Sequence, residues 1–285
     1  MTPSFYSPVP DRDRADDLFG SYLSFLEQRN GELHADDGFE KREQLMTRLP
    51  GAEVCFSAGF EQEIFNRNYE KLIDKDLTLE QFTLLAFVKM NAGEAYGVEV
   101  MREARADLMA RPEPIFMLEK ILSREEDYHT RLLVGAIDHV DGLEVTGAWR
   151  PAWPLKLLIL CLSKAPRMFF HPVLLGAEIS GVFTVTWLLT RLKDLFPDDP
   201  LVRESMEQRL MDVLIDEIGH VAYNRICIGT RGFGAAKYLA GAVCESHDQM
   251  TRELIPLGYQ EARKAIASFD FMDLPEEARR NAWFV

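Results

Sequence analysis

Apolar residues recur at intervals of three and four along most of this 285-residue chain, and clusters of proline and glycine separate the helical stretches. The alternation of apolar and polar residues that is typical of strands is weak throughout. Four long helices are predicted, from Thr78 to about Ala110, from Ile115 to Val140, from Pro172 to Leu195 and from Leu201 to Ile228. The pattern predicts an all-α protein with a single domain, 1–285, a central bundle at about 78–228 and accessory helices at about 12–75 and 232–285.

Two local features refine this prediction. The first long helix opens with Thr78-Leu79-Glu80-Gln81, a capping-box sequence in which the two end side chains satisfy free backbone N–H groups. The connection between the second and third long helices, about 141–171, is long and contains a short apolar helix predicted at Leu155–Ser163. Two antiparallel helix pairs joined by such a crossover make one of the two common kinds of four-helix bundle.

Acidic residues interrupt the apolar face of each long helix. Glu126 and His129 form a Glu-x-x-His pair, and Glu217 and His220 repeat it. Residues three apart lie on one helical face, so each pair directs a carboxylate and an imidazole at one point. On the apolar face of each of the other two long helices lies one glutamate that belongs to no such pair, Glu94 in the first and Glu178 in the third. The predicted metal ligands, which are also the predicted catalytic residues, are Glu94, Glu126, His129, Glu178, Glu217 and His220.

The joint pattern, rather than any one residue, supports a metal site. A single Glu-x-x-His pair occurs by chance, and a single helical glutamate is more often solvated. Here, however, two pairs and two lone carboxylates follow one another in the order Glu, Glu-x-x-His, Glu, Glu-x-x-His. Unpaired buried carboxylates cost several kcal/mol each, so four of them require cations. This is the ligand set of a two-metal carboxylate bundle.

The run Asp216-Glu217-Ile218-Gly219-His220 resembles the Asp-Glu-x-x-His element of the ferritin-like di-iron carboxylate superfamily, over about residues 78–228. The resemblance implies a ferritin-like four-helix bundle, two iron ions, with manganese possible at one or both sites, and reaction with O2. At three positions the sequence departs from the pattern of particular members of this superfamily, and these departures make those members less similar to the chain. Gly219 stands where several oxygenases have arginine, Val213 where arylamine N-oxygenases have an additional histidine, and Val98 where the ribonucleotide reductase subunit has its radical tyrosine.

The residue before each ligand glutamate is also acidic. Metal-bound imidazoles usually donate their second N–H group to a carboxylate. In an antiparallel bundle, Asp216 is expected to reach His129, and Glu125 is expected to reach His220. The alternative is that both are surface charges.

Composition excludes several classes of protein. The net charge of −14 argues against a nucleic-acid partner. The four cysteines are scattered, with no Cys-x-x-Cys pair, and no signal peptide is apparent, so a cytoplasmic location is expected. The apolar stretch Val173–Leu189 is near the lower length limit of a membrane span, but Glu178 at its middle predicts a core helix and no span.

The expected function is oxidation of a small organic substrate with O2, by hydroxylation, N-oxygenation or a related reaction. The alternatives are a ferroxidase or iron-storage protein and a di-manganese or mixed Mn/Fe protein. A ferredoxin or flavin reductase is the expected electron donor, because the chain has no Gly-rich dinucleotide fingerprint; a homodimer is possible. The apolar substrate pocket is predicted to be lined by Phe87, Val182, Phe183 and Val213, with small residues such as Gly93, Gly176, Ala177 and Gly181 leaving room.

The other histidines are assigned no ligand role. His34, His139 and His247 lie in polar surroundings and are expected on the surface. His171 is expected at the start of the third long helix.

Overall fold

The computed structural model describes residues 3–9, 14–31, 39–47, 60–71, 74–147, 153–228 and 232–285. Within these ranges the protein is helical and contains no strand, which confirms the all-α class. The α-helices of the described ranges are α1 (Ala15–Asn30), α2 (Gln62–Glu70), α3 (Leu79–Met90), α4 (Ala92–Ala104), α5 (Ala106–Met109), α6 (Pro114–Val134), α7 (Trp153–Ser163), α8 (Arg167–Leu195), α9 (Pro200–Cys227), α10 (Gly232–Met250), α11 (Tyr259–Ala262) and α12 (Glu276–Asn281).

Most predicted helix ends lie within a few residues of the observed ones. The capping box is confirmed, because Thr78 accepts a hydrogen bond from the Gln81 N–H and the Gln81 side chain accepts one from the Thr78 N–H. The second long helix ends early, at Val134, and continues as a 3-10 helix over Gly135–His139. The third starts early, so that Pro172 lies inside α8 rather than at its first turn.

The prediction of one continuous helix at the start of the central region is wrong. The chain leaves regular α-helix at Asn91 and again at Arg105, which separates α3, α4 and α5. The Asn91 side chain donates hydrogen bonds to the carbonyl oxygen of Glu126 and to Thr130 Oγ1, at 2.9 and 3.0 Å. These bonds tie the break to α6 and hold the turn that precedes Glu94.

A small hydrophobic cluster joins α1 to α6 and α9, and a second, larger one extends through most of the rest of the described chain. It includes Phe5 near the N-terminus, Leu132 and Leu214 in the central helices, Ala240 in α10 and Ala278 in α12. The segments on either side of the central region therefore share its core instead of packing outside it. Burial of these two apolar clusters is the main force that holds the helices together.

Helix α8 lies at the centre of the packing, against α9 and α10. Gly176 permits the close approach of α10, because a Cβ atom at this position would lie 2.8 Å from Leu239 Cβ. Among the described helices, only α8 has the length and mean hydropathy, 1.6 over 18 residues, of a membrane span. Most of that window is buried inside the protein, and Glu178 lies near the middle of the helix.

Candidate metal centre

The six predicted ligands come from α4, α6, α8 and α9 and converge on one buried region. His220 Nδ1 lies 3.1 Å from Glu126 Oε1, and 3.7 Å from both Glu178 Oε2 and Glu217 Oε2. His129 Nδ1 lies 3.3 Å from Glu217 Oε1 and 3.5 Å from Glu126 Oε2. Glu126 and Glu217 thus each approach both imidazoles, as carboxylates shared between two metal positions would.

Glu94 reaches the cluster across a glycine of α8. A Cβ atom on Gly181 would lie 3.3 Å from Glu94 Oε1 and 3.7 Å from Glu217 Oε2. The missing side chain therefore leaves the space into which the two carboxylates extend. Gly181, one of the small residues predicted to leave room, accommodates ligand carboxylates rather than substrate.

Ligand atoms of Glu126, Glu178, Glu217 and His220 all lie within 4.8 Å of one another, which suits a single metal ion. His129 and Glu94 extend this group on the Glu217 side. Mixed carboxylate and imidazole donors suit first-row metals such as iron and manganese.

The cluster also carries buried polar atoms that no protein group satisfies. Glu126 Oε2, His129 Nδ1 and Glu217 Oε2 are buried without a hydrogen bond of good geometry. Each such atom costs roughly 1–3 kcal/mol. Four carboxylates carry four negative charges when ionised, which two divalent cations would neutralise. The donor set, the unsatisfied atoms and the charge together fit two metal ions.

Without metal, protons balance the charge. Burial, reinforced by Glu217 and Glu126, raises the pKa of Glu94 well above its usual value. Burial and the Glu126 charge raise the pKa of Glu217 to about 8. Burial opposes ionisation of His129 and His220, but Glu126 beside the first and Glu125 beside the second raise the pKa of each imidazole well above its usual value. Metal binding must therefore displace protons from this cluster.

Both predicted contacts behind the imidazoles are present. His129 Nε2 lies 2.9 Å from Asp216 Oδ2, and His220 Nε2 lies 3.1 Å from Glu125 Oε2. Asp216 and Glu125 are buried, so they are not surface charges. An ionised carboxylate only accepts hydrogen bonds, so each imidazole keeps a proton on Nε2, and loss of the proton on Nδ1 would present that nitrogen's lone pair to the cluster.

Sequence reasoning missed the residues that hold these two carboxylates. Arg29 Nε donates to Asp216 Oδ1 at 2.8 Å, and Arg42 donates to Asp216 Oδ2. Asn30 Nδ2 donates to Glu125 Oε1 at 2.9 Å, and its Oδ1 accepts from Arg42 at 2.8 Å. Burial opposes ionisation, but the two guanidinium groups hold the pKa of Asp216 well below its usual range.

These three residues belong to the N-terminal segment that was predicted to be accessory. The same arginines also pair with Asp212, one turn before Asp216 on α9. The sequence carries one hint of this role, since the buried stripe of α1 continues from Tyr22 and Leu26 to the polar Asn30.

Gly219 accommodates another residue of α1. A Cβ atom here would lie 2.3 Å from the Tyr22 hydroxyl oxygen and 2.9 Å from Tyr22 Cζ. The Tyr22 ring is fully buried and stacks on Trp283, with ring centroids 4.4 Å apart. The tyrosine therefore fills the space beside His220 and excludes any side chain at position 219.

The residues predicted to line a substrate pocket do not line the cavity beside the site. Phe87, Val182, Phe183 and Val213 are instead buried members of the larger hydrophobic cluster. The cavity has a volume of about 300 Å³ and is largely apolar. Its lining includes Glu94, Glu126 and Glu178 of the site and Gly93, Gly97, Val98, Met101, Leu158, Ile159, Leu162, Phe170, Val173, Leu174, Ala177 and Val243.

The mismatch between these residues and the cavity has a simple geometric cause. On α4 the cavity lies on the C-terminal side of Glu94, and on α8 it lies on the N-terminal side of Glu178. Phe87 precedes Glu94, and Val182 follows Glu178. Val182 therefore lies on the side of Glu178 away from the cavity. In α3, Lys89 and Met90 line the cavity, but Phe87 does not.

Two of the remaining histidines also differ from expectation. His139 is buried, with Nε2 3.1 Å from Ser205 Oγ, so its surface assignment is wrong. His171 is buried in α8, and its Nδ1 donates to Asn224 Oδ1 at 3.0 Å. His34 and the side chain of His247 lie outside the described part of the chain.

No family model matches the chain, and no curated protein or solved structure gives a significant match.

Proposed function

We propose that this protein is an O2-activating oxidoreductase with two iron ions, built on a ferritin-like four-helix bundle. One observation carries the proposal: six metal-ligating side chains converge in the core, and three of the four carboxylates also border a cavity of about 300 Å³. A cavity of this size at the edge of a buried polar cluster suits a small organic molecule.

The chain's own residues would divide the work. Glu94, Glu126, Glu178, Glu217, His129 and His220 would hold the metals. Asp216 and Glu125 would keep the metal-bound imidazoles in the tautomer that presents Nδ1, and Arg29 and Arg42 keep Asp216 ionised. The bound metals would supply the redox chemistry with O2.

The cavity would bind substrate beside the metals and limit access of water. Its walls are aliphatic and aromatic, which favours an apolar or aromatic substrate over a charged one. Insertion of one oxygen atom from O2 reduces the second atom to water and consumes two electrons and two protons. We propose that an external ferredoxin or flavin reductase supplies the electrons.

Reconstitution under anaerobic conditions tests the proposal. Protein loaded with ferrous iron should bind two metals per chain and oxidise rapidly on mixing with O2 in a stopped-flow spectrometer. Glu126→Ala and Glu217→Ala should lose bound iron. Glu99→Ala, a change at an exposed glutamate of the same helix as Glu94, should retain it. Loading with iron and manganese together would identify the preferred metal.

A second variant tests the cavity. Val173→Phe should narrow it and change which small apolar compounds stimulate O2 consumption, while two metals remain bound. An unaltered substrate profile would place the substrate elsewhere. Slow oxidation of iron, with a mineral core that elutes in a multi-subunit cage on gel filtration, would instead assign the protein to iron storage.

A further inference from the structure

Helix α7 and the first turn of α8 carry a concentration of exposed apolar side chains. Five large apolar side chains project from this short stretch: Trp153 is 74% exposed, Leu157 and Leu158 are each 54%, Met168 is 70% and Phe169 is 58%. They make up half of the large hydrophobic residues that are exposed in the described part of the chain. Such a concentration in 17 consecutive positions marks an interaction surface rather than scattered exposure. We call these five residues the docking face.

The docking face belongs to a basic segment of an acidic protein. The chain has 46 acidic residues, yet none occurs between Glu144 and Glu178. Lys156, Lys164 and Arg167 lie within this interval and are exposed. The charged residues of this segment are therefore all basic, although the whole chain carries a net charge of −14.

The same helix covers the cavity beside the candidate metal centre. Ile159 and Leu162 of α7 line the cavity from inside, and Leu158 both lines it and belongs to the docking face. Ile159 Cδ1 lies 3.6 Å from the position of a Cβ atom on Gly97, so α7 packs closely on α4. The docking face thus borders the cavity.

We propose that the docking face binds an anionic lipid surface, with α7 lying in the plane of the interface. Helices of this kind place tryptophan, phenylalanine and leucine among the lipids and surround them with lysine and arginine. Each basic residue near an anionic bilayer adds attraction. The apolar side chains project into solvent with more than half of their surface exposed, which suits insertion into a fluid layer.

A second copy of the chain is a poorer occupant of this face. Pairing two copies would bring Lys156, Lys164 and Arg167 against the same three positive charges. Each copy also carries a net charge of −14, so the remaining surfaces repel. An anionic bilayer supplies opposite charge and an apolar layer together.

Lipid docking is independent of the metal chemistry, but one consequence rests on the proposed function. If the site oxidises organic compounds, the cavity next to the docking face would receive apolar substrates that partition into the bilayer.

Flotation with lipid vesicles tests the docking. The full-length, metal-loaded chain is mixed with phosphatidylcholine vesicles, with or without phosphatidylglycerol. Binding to the anionic vesicles should exceed binding to the neutral ones by at least about tenfold at low salt and weaken as salt rises. No binding to either kind, or equal binding to both, would overturn the proposal.

Matched variants locate the surface. Leu157→Glu and Lys156→Glu should each lower binding to anionic vesicles by at least about fivefold. Leu201→Glu and Lys193→Glu make the same changes at exposed residues outside the docking face, and should leave binding unchanged. Equal losses in all four variants would refute the location.

Light scattering checks for a second copy. A parent protein that is dimeric and becomes monomeric in Leu157→Glu would assign the face to self-association and overturn lipid docking. Metal content and O2 consumption, measured on the same samples, report on the proposed function separately.

Discussion

Replacement of Glu125 by glutamine should weaken metal binding while the protein stays folded. Glu125 is fully buried, accepts a hydrogen bond from Asn30 Nδ2 at 2.9 Å and lies 3.1 Å from His220 Nε2. Glutamine has the same shape but one donor in place of an acceptor. Asn30 cannot turn its amide to compensate, because its Oδ1 accepts a hydrogen bond from Arg42.

Either orientation of the new amide therefore loses a hydrogen bond or puts the imidazole proton on the wrong nitrogen. If its nitrogen faces His220, the imidazole proton moves to Nδ1, the atom that faces Glu126 and the predicted metal. If its oxygen faces His220, the new amide nitrogen faces Asn30 Nδ2, and both of these groups are donors. A hydrogen bond to a charged group contributes about 1.5–3 kcal/mol. At about 1.4 kcal/mol per factor of ten, this corresponds to roughly 10- to 100-fold weaker metal binding, as is usual for groups that orient a metal-bound imidazole.

The measurement is an anaerobic ferrous iron titration against a competing chelator. Glu119→Gln is the matched control, because Glu119 is a buried carboxylate on the same helix and pairs with Arg105 at 2.9 Å. It should lower thermal stability but leave metal affinity unchanged. An affinity loss below about threefold in Glu125→Gln would refute the tautomer argument, since it falls well short of the expected range.

Three further changes test the packing around the site. Gly219→Ala should lower the free energy of thermal unfolding by about 1–3 kcal/mol, since its Cβ would lie 2.3 Å from the Tyr22 hydroxyl. The control Gly241→Ala, with open space around its Cβ, should raise it by roughly 0.5–1 kcal/mol. Similar effects of the two changes would contradict this account. Arg42→Met should cost up to about 3–5 kcal/mol in urea unfolding, because buried carboxylates lose a cation; a neutral result would show that they find other partners. Burial lowers the pKa of His171 to about 4, below the unfolded value of 6.5, so the stability of the protein should fall as pH drops from 6.5 to 4. His171→Gln should remove up to about 3 kcal/mol of that fall. A pH profile of stability that is the same in the variant and the parent would refute this prediction.

The amino-acid sequence by itself determined which six glutamate and histidine side chains converge in the core. A helix repeats every 3.6 residues, so glutamates that interrupt apolar stripes must face the core wherever the helices lie. On two neighbouring antiparallel helices, the residue before the glutamate of one Glu-x-x-His pair then lies beside the histidine of the other pair. For that reason the contacts of Asp216 with His129 and of Glu125 with His220 were predictable from local pattern alone.

Only the tertiary structure decided where the cavity opens. Helical periodicity identifies a face but is the same in every turn, so it does not distinguish the two ends of a bundle. Phe87 and Val182 lie on suitable faces, but the space lies toward Val98 and Leu174, where α7 covers it. The exposed side of α7, which begins at Trp153, likewise depends on how that helix lies over α4.

The support behind the imidazoles was also decided by tertiary structure. Arg29 and Asp216 are 187 positions apart, and Asn30 and Glu125 are 95 apart. No local pattern links residues that are so far apart in the sequence. From the sequence alone, polar side chains in the N-terminal segment are expected to be exposed to solvent. Packing of α1 against α6 and α9 then buries them, and the cost of burying Asp216 unpaired explains why a cation must accompany it.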